Sequence, residues 1–137
     1  MQFMRDLAAV LRALADETRL QMLALVFEHD EVCVNDFTEA LAISQSKASR
    51  HLQYLKHARV LDDRRAGLWA FYGIAQDLGL EREALLGVMR RLLAARDLGK
   101  IEERLKRSRA RRAKTAPPSG RAGRPGKKPA RGFQKRA

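Results

Sequence analysis

Ile43-Ser44-Gln45-Ser46-Lys47-Ala48-Ser49-Arg50-His51-Leu52-Gln53-Tyr54-Leu55-Lys56-His57-Ala58-Arg59-Val60 is the stretch that decides the fold. Ser44 reads as an N-cap, because its hydroxyl can accept one of the unpaired amide hydrogens of a first helical turn. At about 100° per residue, Ala48, Leu52 and Leu55 fall on one arc, which must face a core. The opposite arc holds Ser46, Arg50, Gln53 and His57, with Gln45, Lys47 and Ser49 beside it and no carboxylate among them. Hydroxyls, amides and cations suit the base edges and phosphates of a major groove, which repels acids. The alternative is an ordinary solvated helix face, but such a face usually carries both signs of charge.

Upstream, Asn35 reads as the cap of a short helix from Asp36 to Ala42, with Phe37, Ala40 and Leu41 inward. Ile43-Ser44 is then a tight connection, and the two segments form a helix-turn-helix. Downstream the period changes from 3.6 to 2. Val60 to Arg65, a turn at Ala66-Gly67 and Leu68 to Ile74 read as a β-hairpin, with Gly67 supplying a positive φ. Arg64 and Arg65 fall near its tip, in reach of a phosphate or a minor groove. The whole is a winged helix. Trp69, Phe71 and Tyr72 can stack on single strands, but aromatics favour strands anyway and fit better as wing residues packed on the core.

Further out on both sides the chain is helical. Gln2 to Ala15 repeats Phe3, Leu7, Val10 and Leu14, with Met4, Ala8 and Leu11 widening the stripe. Asp16 caps a second helix through about Phe27. Glu28-His29-Asp30-Glu31 reads as a solvated polar turn; a histidine among three acids can bind a metal, but the spacing matches no motif. From about Leu80, Leu85, Leu86, Val88, Met89, Leu92 and Leu93 form another broad apolar face. Two such faces exceed what one small core can use. Phe3, Leu7, Val10, Leu85, Met89 and Leu92 therefore read as a homodimer interface, which would set two reading helices about 34 Å apart on successive major grooves. The expected order is α-α-α-α-β-β-α, mainly α with a small β-hairpin.

The net charge of +12 is unevenly spread. Residues 1–99 sum to −1 and residues 100–137 to +13. The chain thus divides into a DNA-binding and dimerisation domain, 1–99, and a basic tail, 100–137, expected to be disordered beyond about residue 107. Arg109, Arg111, Arg112, Lys114, Arg121, Arg124, Lys127 and Lys128 read as a counterion-releasing clamp on DNA. Gly123-Arg124-Pro125 is similar to the core of an AT-hook, although three such residues arise easily in this composition. No apolar run approaches the ~18 residues of a membrane span. No signal peptide is read at Met1, and the single Cys33 precludes an internal disulfide, so a cytoplasmic setting is expected. Neither a nucleophile with a base, nor a metal cluster, nor a phosphate-cradling glycine loop is found. No enzyme activity and no cofactor are expected.

Three segments together resemble the ArsR/SmtB family of winged-helix repressors. Leu14-Ala15-Asp16-Glu17-Thr18-Arg19-Leu20 is similar to its second-helix opening, Ile43 to Leu52 to its recognition helix, and Asp63-Arg64-Arg65-Ala66-Gly67-Leu68-Trp69 to its wing. The resemblance covers about residues 4–95. It implies a homodimeric repressor that binds an inverted repeat in double-stranded DNA and releases it when an effector binds.

The departure concerns that effector. Arsenic-sensing members carry Cys-Val-Cys-Asp-Leu-Cys where this chain has Cys33-Val34-Asn35-Asp36-Phe37-Thr38. A soft metalloid needs several thiolates, which amide and hydroxyl oxygens do not replace. Zinc-type members use Asp and His on the C-terminal helix, and no histidine follows His57. No metal site is therefore expected, and the effector stays unidentified. Cys33 reads as a buried small apolar residue, with a redox-sensitive thiol or an intermolecular ligand as alternatives. His51 reads as a packing residue, while His57 suits either a phosphate contact or solvent. The rival to a site-specific repressor is an architectural DNA-binding protein whose basic tail supplies most of the affinity.

Overall fold

The computed structural model describes residues 1–94, 96 and 98–115. Six helices and a small sheet follow one another: α1 (Gln2–Leu14), α2 (Glu17–His29), β1 (Glu31–Cys33), α3 (Val34–Leu41), α4 (Gln45–His57), β2 (Leu61–Ala66), β3 (Trp69–Ile74), α5 (Gly79–Ala94) and α6 (Lys100–Thr115). The winged helix-turn-helix is present, with β1 and α6 added to the expected order.

Helix α2 is the axis of the core. Met22, Leu23, Leu25 and Val26 are all buried, so it packs on more than one side, as an all-round apolar helix must. Asp16 caps it by accepting the Arg19 amide at 3.0 Å. Ala48, Leu52 and Leu55 of α4 pack onto this core, as their spacing requires. Phe37, Leu86 and Leu105 bring in α3, α5 and α6.

The sheet runs β1-β3-β2, antiparallel throughout. Gly67 takes φ +63° in the hairpin turn, and Leu68 beside it projects into solvent. The expected polar turn at 28–31 shrinks to Asp30, because α2 runs on through Glu28 and His29 and β1 begins at Glu31. Glu31 is buried and its carboxylate takes a two-point contact from Arg64, at 2.6 and 3.2 Å. His29 meets Glu102 at 3.0 Å. Glu31 and His29 of the run are thus held by internal partners distant in sequence, while Glu28 stays exposed. Asn35 is not a cap: α3 begins at Val34, two residues before the expected Asp36, and its Cys33 N-cap makes no side-chain capping bond.

The expectation of disorder beyond residue 107 is corrected by α6, which continues to Thr115. It persists because its inner face has partners on α3 rather than because its sequence is apolar. Leu105 is buried, Ser108 Oγ donates to Asp36 at 2.5 Å, and Arg112 reaches the other Asp36 oxygen at 3.0 Å. Arg104 donates to the Ala40 carbonyl at 2.9 Å, and Arg111 pairs with Glu39 at 2.7 Å.

Val10 is corrected as an interface residue, since it is wholly buried in the chain's own core. Leu85 and Met89 are half-buried against that core. Phe3 (55% exposed), Met4, Leu11, Val88 and Leu92 (52%) remain as uncovered apolar surface on α1 and α5.

Candidate nucleic-acid interface

The reading helix is held from three sides before its outer face is considered. Ser44 caps α4 through the Lys47 amide at 3.1 Å. The turn before it is set by Ala42, in the left-handed region at φ 55°, with the Ile43 amide donating to the Thr38 carbonyl at 3.2 Å. On the wing side, Lys56 pairs with Asp63 at 2.9 Å and Gln53 Nε2 donates to the Tyr72 hydroxyl at 3.2 Å. The bond to Asp63 and its charge raise the Lys56 pKa. Helix and wing are therefore tied at two points.

The third anchor is Arg19, a buried cation that neither composition nor periodicity singles out. Its Nε donates to the Ala13 carbonyl at 2.6 Å and its Nη2 to the Arg12 carbonyl at 3.1 Å, at the end of α1. Its Nη1 lies 3.0 Å from His51 Nδ1, and its guanidinium stacks over Tyr54, 4.1 Å from the ring centroid. An arginine can only donate, so His51 Nδ1 accepts and the imidazole is neutral with its proton on Nε2. Burial lowers the His51 pKa, and the charges of Arg19, Lys47 and Arg50 lower it further. Asp16, 3.8 Å away, opposes them. His51 is the packing residue its position suggested.

The outer face of the helix is a single surface, to which Gln53 belongs although its amide is also tied to Tyr72. Gln45, Ser46, Lys47, Arg50, Gln53 and His57 are exposed and Ser49 is half-buried at its edge. Among the described residues, neither Lys47 nor Arg50 has an ion-pair partner; no salt bridge is formed by either. His57 Nδ1 donates to the Gln53 carbonyl at 2.9 Å, which leaves Nε2 facing outward. Tyr54, exposed at its edge, was not expected on this surface, since nothing in its spacing separates a contact from a stacking partner of Arg19.

On the wing the two adjacent arginines part. Arg65 is exposed and stays with the outer surface. Arg64 does not: strand alternation turns it inward, where it pairs with Glu31 and lies over Phe71 at 4.5 Å. Phe71 and Tyr72 are buried, consistent with packing rather than strand stacking. Of the basic C-terminal set, Arg112 is consumed by the buried Asp36, Arg111 pairs with Glu39 while both stay exposed, and Arg109 and Lys114 have no ion pair among the described residues. Arg121, Arg124, Lys127, Lys128 and the AT-hook-like triplet lie outside the described residues.

Cys33 is wholly buried. Burial, reinforced by the Asp36 carboxylate, pushes its thiol up to about 11, so at neutral pH it is not a thiolate. Among the described residues no group of three or more His, Cys, Asp or Glu is placed to hold a metal ion, and no helix is long and apolar enough to cross a membrane.

Comparison with known proteins agrees with this architecture. Residues 16–63 match the family model of the bacterial regulatory proteins of the arsR family. The arsenic resistance transcriptional regulator ArsR1 of Pseudomonas putida is 42% identical over 77 residues, 56% of this chain and 60% of that protein. The arsenical resistance operon repressor of Bacillus subtilis is 30% identical over 92 residues, covering 66% of this chain and 88% of the repressor. A possible regulator from Mycobacterium bovis, solved by NMR as a homodimeric winged helix-turn-helix DNA-binding domain, superposes with a TM-score of 0.57 at 29% identity. That match covers 68% of this chain and 82% of the domain. Over the first arsenic-resistance regulators, the chain spans 55–60% of their own length.

Proposed function

The chain belongs to the ArsR family of bacterial regulatory proteins, and from this we propose that it is a homodimeric transcriptional repressor that recognises an inverted-repeat operator. The family consists of regulators, not enzymes. The observation that carries the proposal is the outer arc of α4: hydroxyls, amides and two unpaired cations without a carboxylate, braced against wing and core. Arg50 and Gln53 read base edges, while Lys47, Ser46, Ser49, Gln45 and His57 position the helix on phosphates. Arg65 extends the contact from the wing. Phe3, Leu7 and Leu92, with Met4, Leu11 and Val88, supply the apolar face for a second copy. The remaining C-terminal cations add affinity without sequence preference. Arsenic resistance belongs to the relatives; here a single buried, protonated thiol offers no metalloid site of the several-thiolate kind.

Fluorescence anisotropy at physiological salt tests this. DNA upstream of the protein's own gene is compared with a shuffled duplex of equal length and composition, followed by selection from random sequences. A preference of about 10³-fold or more for one sequence is expected. No preferred sequence after selection would favour an architectural protein bound mainly through its basic C-terminal residues.

A further inference from the structure

Two tyrosines flank the reading helix, and their hydroxyls are used differently. On the wing side Tyr72 is buried and its hydroxyl accepts the Gln53 amide at 3.2 Å. On the α2 side Tyr54 is 44% exposed, and among the described residues no hydrogen bond occupies its hydroxyl. Its ring is fixed by other means. The Arg19 guanidinium lies 4.1 Å from the ring centroid. That guanidinium is itself held by the Ala13 and Arg12 carbonyls, at 2.6 and 3.1 Å. One face of the ring is therefore taken, which leaves its edge and hydroxyl to meet a partner. A donor carried on a ring held in this way loses little further freedom on contact.

The surroundings of that hydroxyl suit an anion. At about 100° per residue, Tyr54 lies about 20° from Lys47 and about 40° from Arg50 around α4. Both cations are exposed, and neither forms an ion pair among the described residues. Asp16, an acid on this side, is engaged as the cap of α2, where it accepts the Arg19 amide at 3.0 Å. Arg50 stands near the centre of the arc opposite Ala48, Leu52 and Leu55, whereas Tyr54 stands about 55° from it, towards α2. A residue so placed faces the wall of a groove rather than its floor, and the wall is a row of phosphates, to which tyrosine hydroxyls commonly donate. Lys47 and Tyr54 are two turns apart, about 10 Å along the axis, so they reach different phosphates.

We propose that Tyr54 is a further DNA contact of α4, its hydroxyl donating to a backbone phosphate on the same side of the groove as Lys47. This rests on α4 being the reading helix, and the two can fail separately. A neutral donor of this kind strengthens binding to any duplex without releasing a counterion.

Tyr54→Phe tests it, because the ring and its stack on Arg19 remain and only the donor is removed. Fluorescence anisotropy compares the full chain with this variant on the DNA upstream of the protein's own gene and on its shuffled duplex, over a series of salt concentrations. A loss of about tenfold on both duplexes is expected, as for one hydrogen bond to a charged group. The slope of log affinity against log salt stays that of the parent. Lys47→Ala, run in parallel, weakens both duplexes but flattens that slope by about one. Parental affinity in Tyr54→Phe would overturn the contact. A loss confined to one duplex would mark a base-edge contact and overturn the phosphate assignment, and a flattened slope would overturn the neutral-donor role. If the parent itself bound neither duplex, the reading of α4 would fall and this contact with it. A parent that binds, matched by Tyr54→Phe, removes Tyr54 alone.

Discussion

Helices α4 and α6 are both rich in cations, yet they use them in opposite ways. On α4, Lys47 and Arg50 face outward without an ion pair among the described residues. On α6, Arg104, Arg111 and Arg112 turn onto α3, where they meet the Ala40 carbonyl, Glu39 and Asp36. A basic helix thus presents unpaired outward cations in one case and supplies an internal brace in the other. What separates them is whether acids lie within reach in the fold, not the number of cations.

Three measurements can break or sharpen that contrast. The largest effect is expected from Arg112→Ala, because it strips a cation from Asp36, whose side chain is wholly buried. Breaking a buried pair costs about 3–5 kcal/mol, and the retained Ser108 bond should put this one at the lower end. Urea unfolding would show it, with operator preference of the folded fraction unchanged. If Arg112→Ala altered base preference and not stability, α6 would be a reading element after all.

Arg50→Ala should do the reverse. It is expected to cost about 1–3 kcal/mol of operator binding and to relax preference at one position, while the unfolding free energy from urea stays within about 0.5 kcal/mol of the parent's. An unaltered preference in competition binding would move the reading face elsewhere.

The smallest effect concerns the clasp behind α4. The folded-state pKa of His51 lies below the ordinary 6.5, because burial and nearby cations disfavour its charged form. The unfolded chain therefore binds the proton more readily, and stability falls as pH drops through 6.5 towards the folded value. Protonation would also set two donors face to face at the 3.0 Å contact with Arg19. Urea midpoints at pH 7.5 and 5.5 should differ in the parent more than in His51→Gln. An equal pH dependence in both would remove His51 from the account.

The reading helix was legible because its signals are local: a serine cap, a 3.6-residue apolar arc and an outer face without acids, all within one short stretch. Asp16 capped its helix for the same reason. The brace was not legible, since Asp36 and Ser108 are 72 residues apart in sequence and nothing in either announces the other. β1 escaped because three residues are too few to show a period, and its Glu31 reads as polar surface until Arg64 is found beside it. Arg64 itself was misplaced for an avoidable reason. In a strand, neighbours point to opposite faces, so Arg64 and Arg65 could not both face outward.

The brace also has a consequence for the order in which the molecule is made. Synthesis proceeds from the N-terminus at about 5–20 residues per second, so the 72–76 residues between Asp36 and its partners take about 4–15 s to appear. In the later part of that interval the growing chain already contains α4 and the wing, while α3 still lacks the helix that pins it. Completion of the winged helix-turn-helix therefore waits on α6, although α4 and the wing are polymerised well before it.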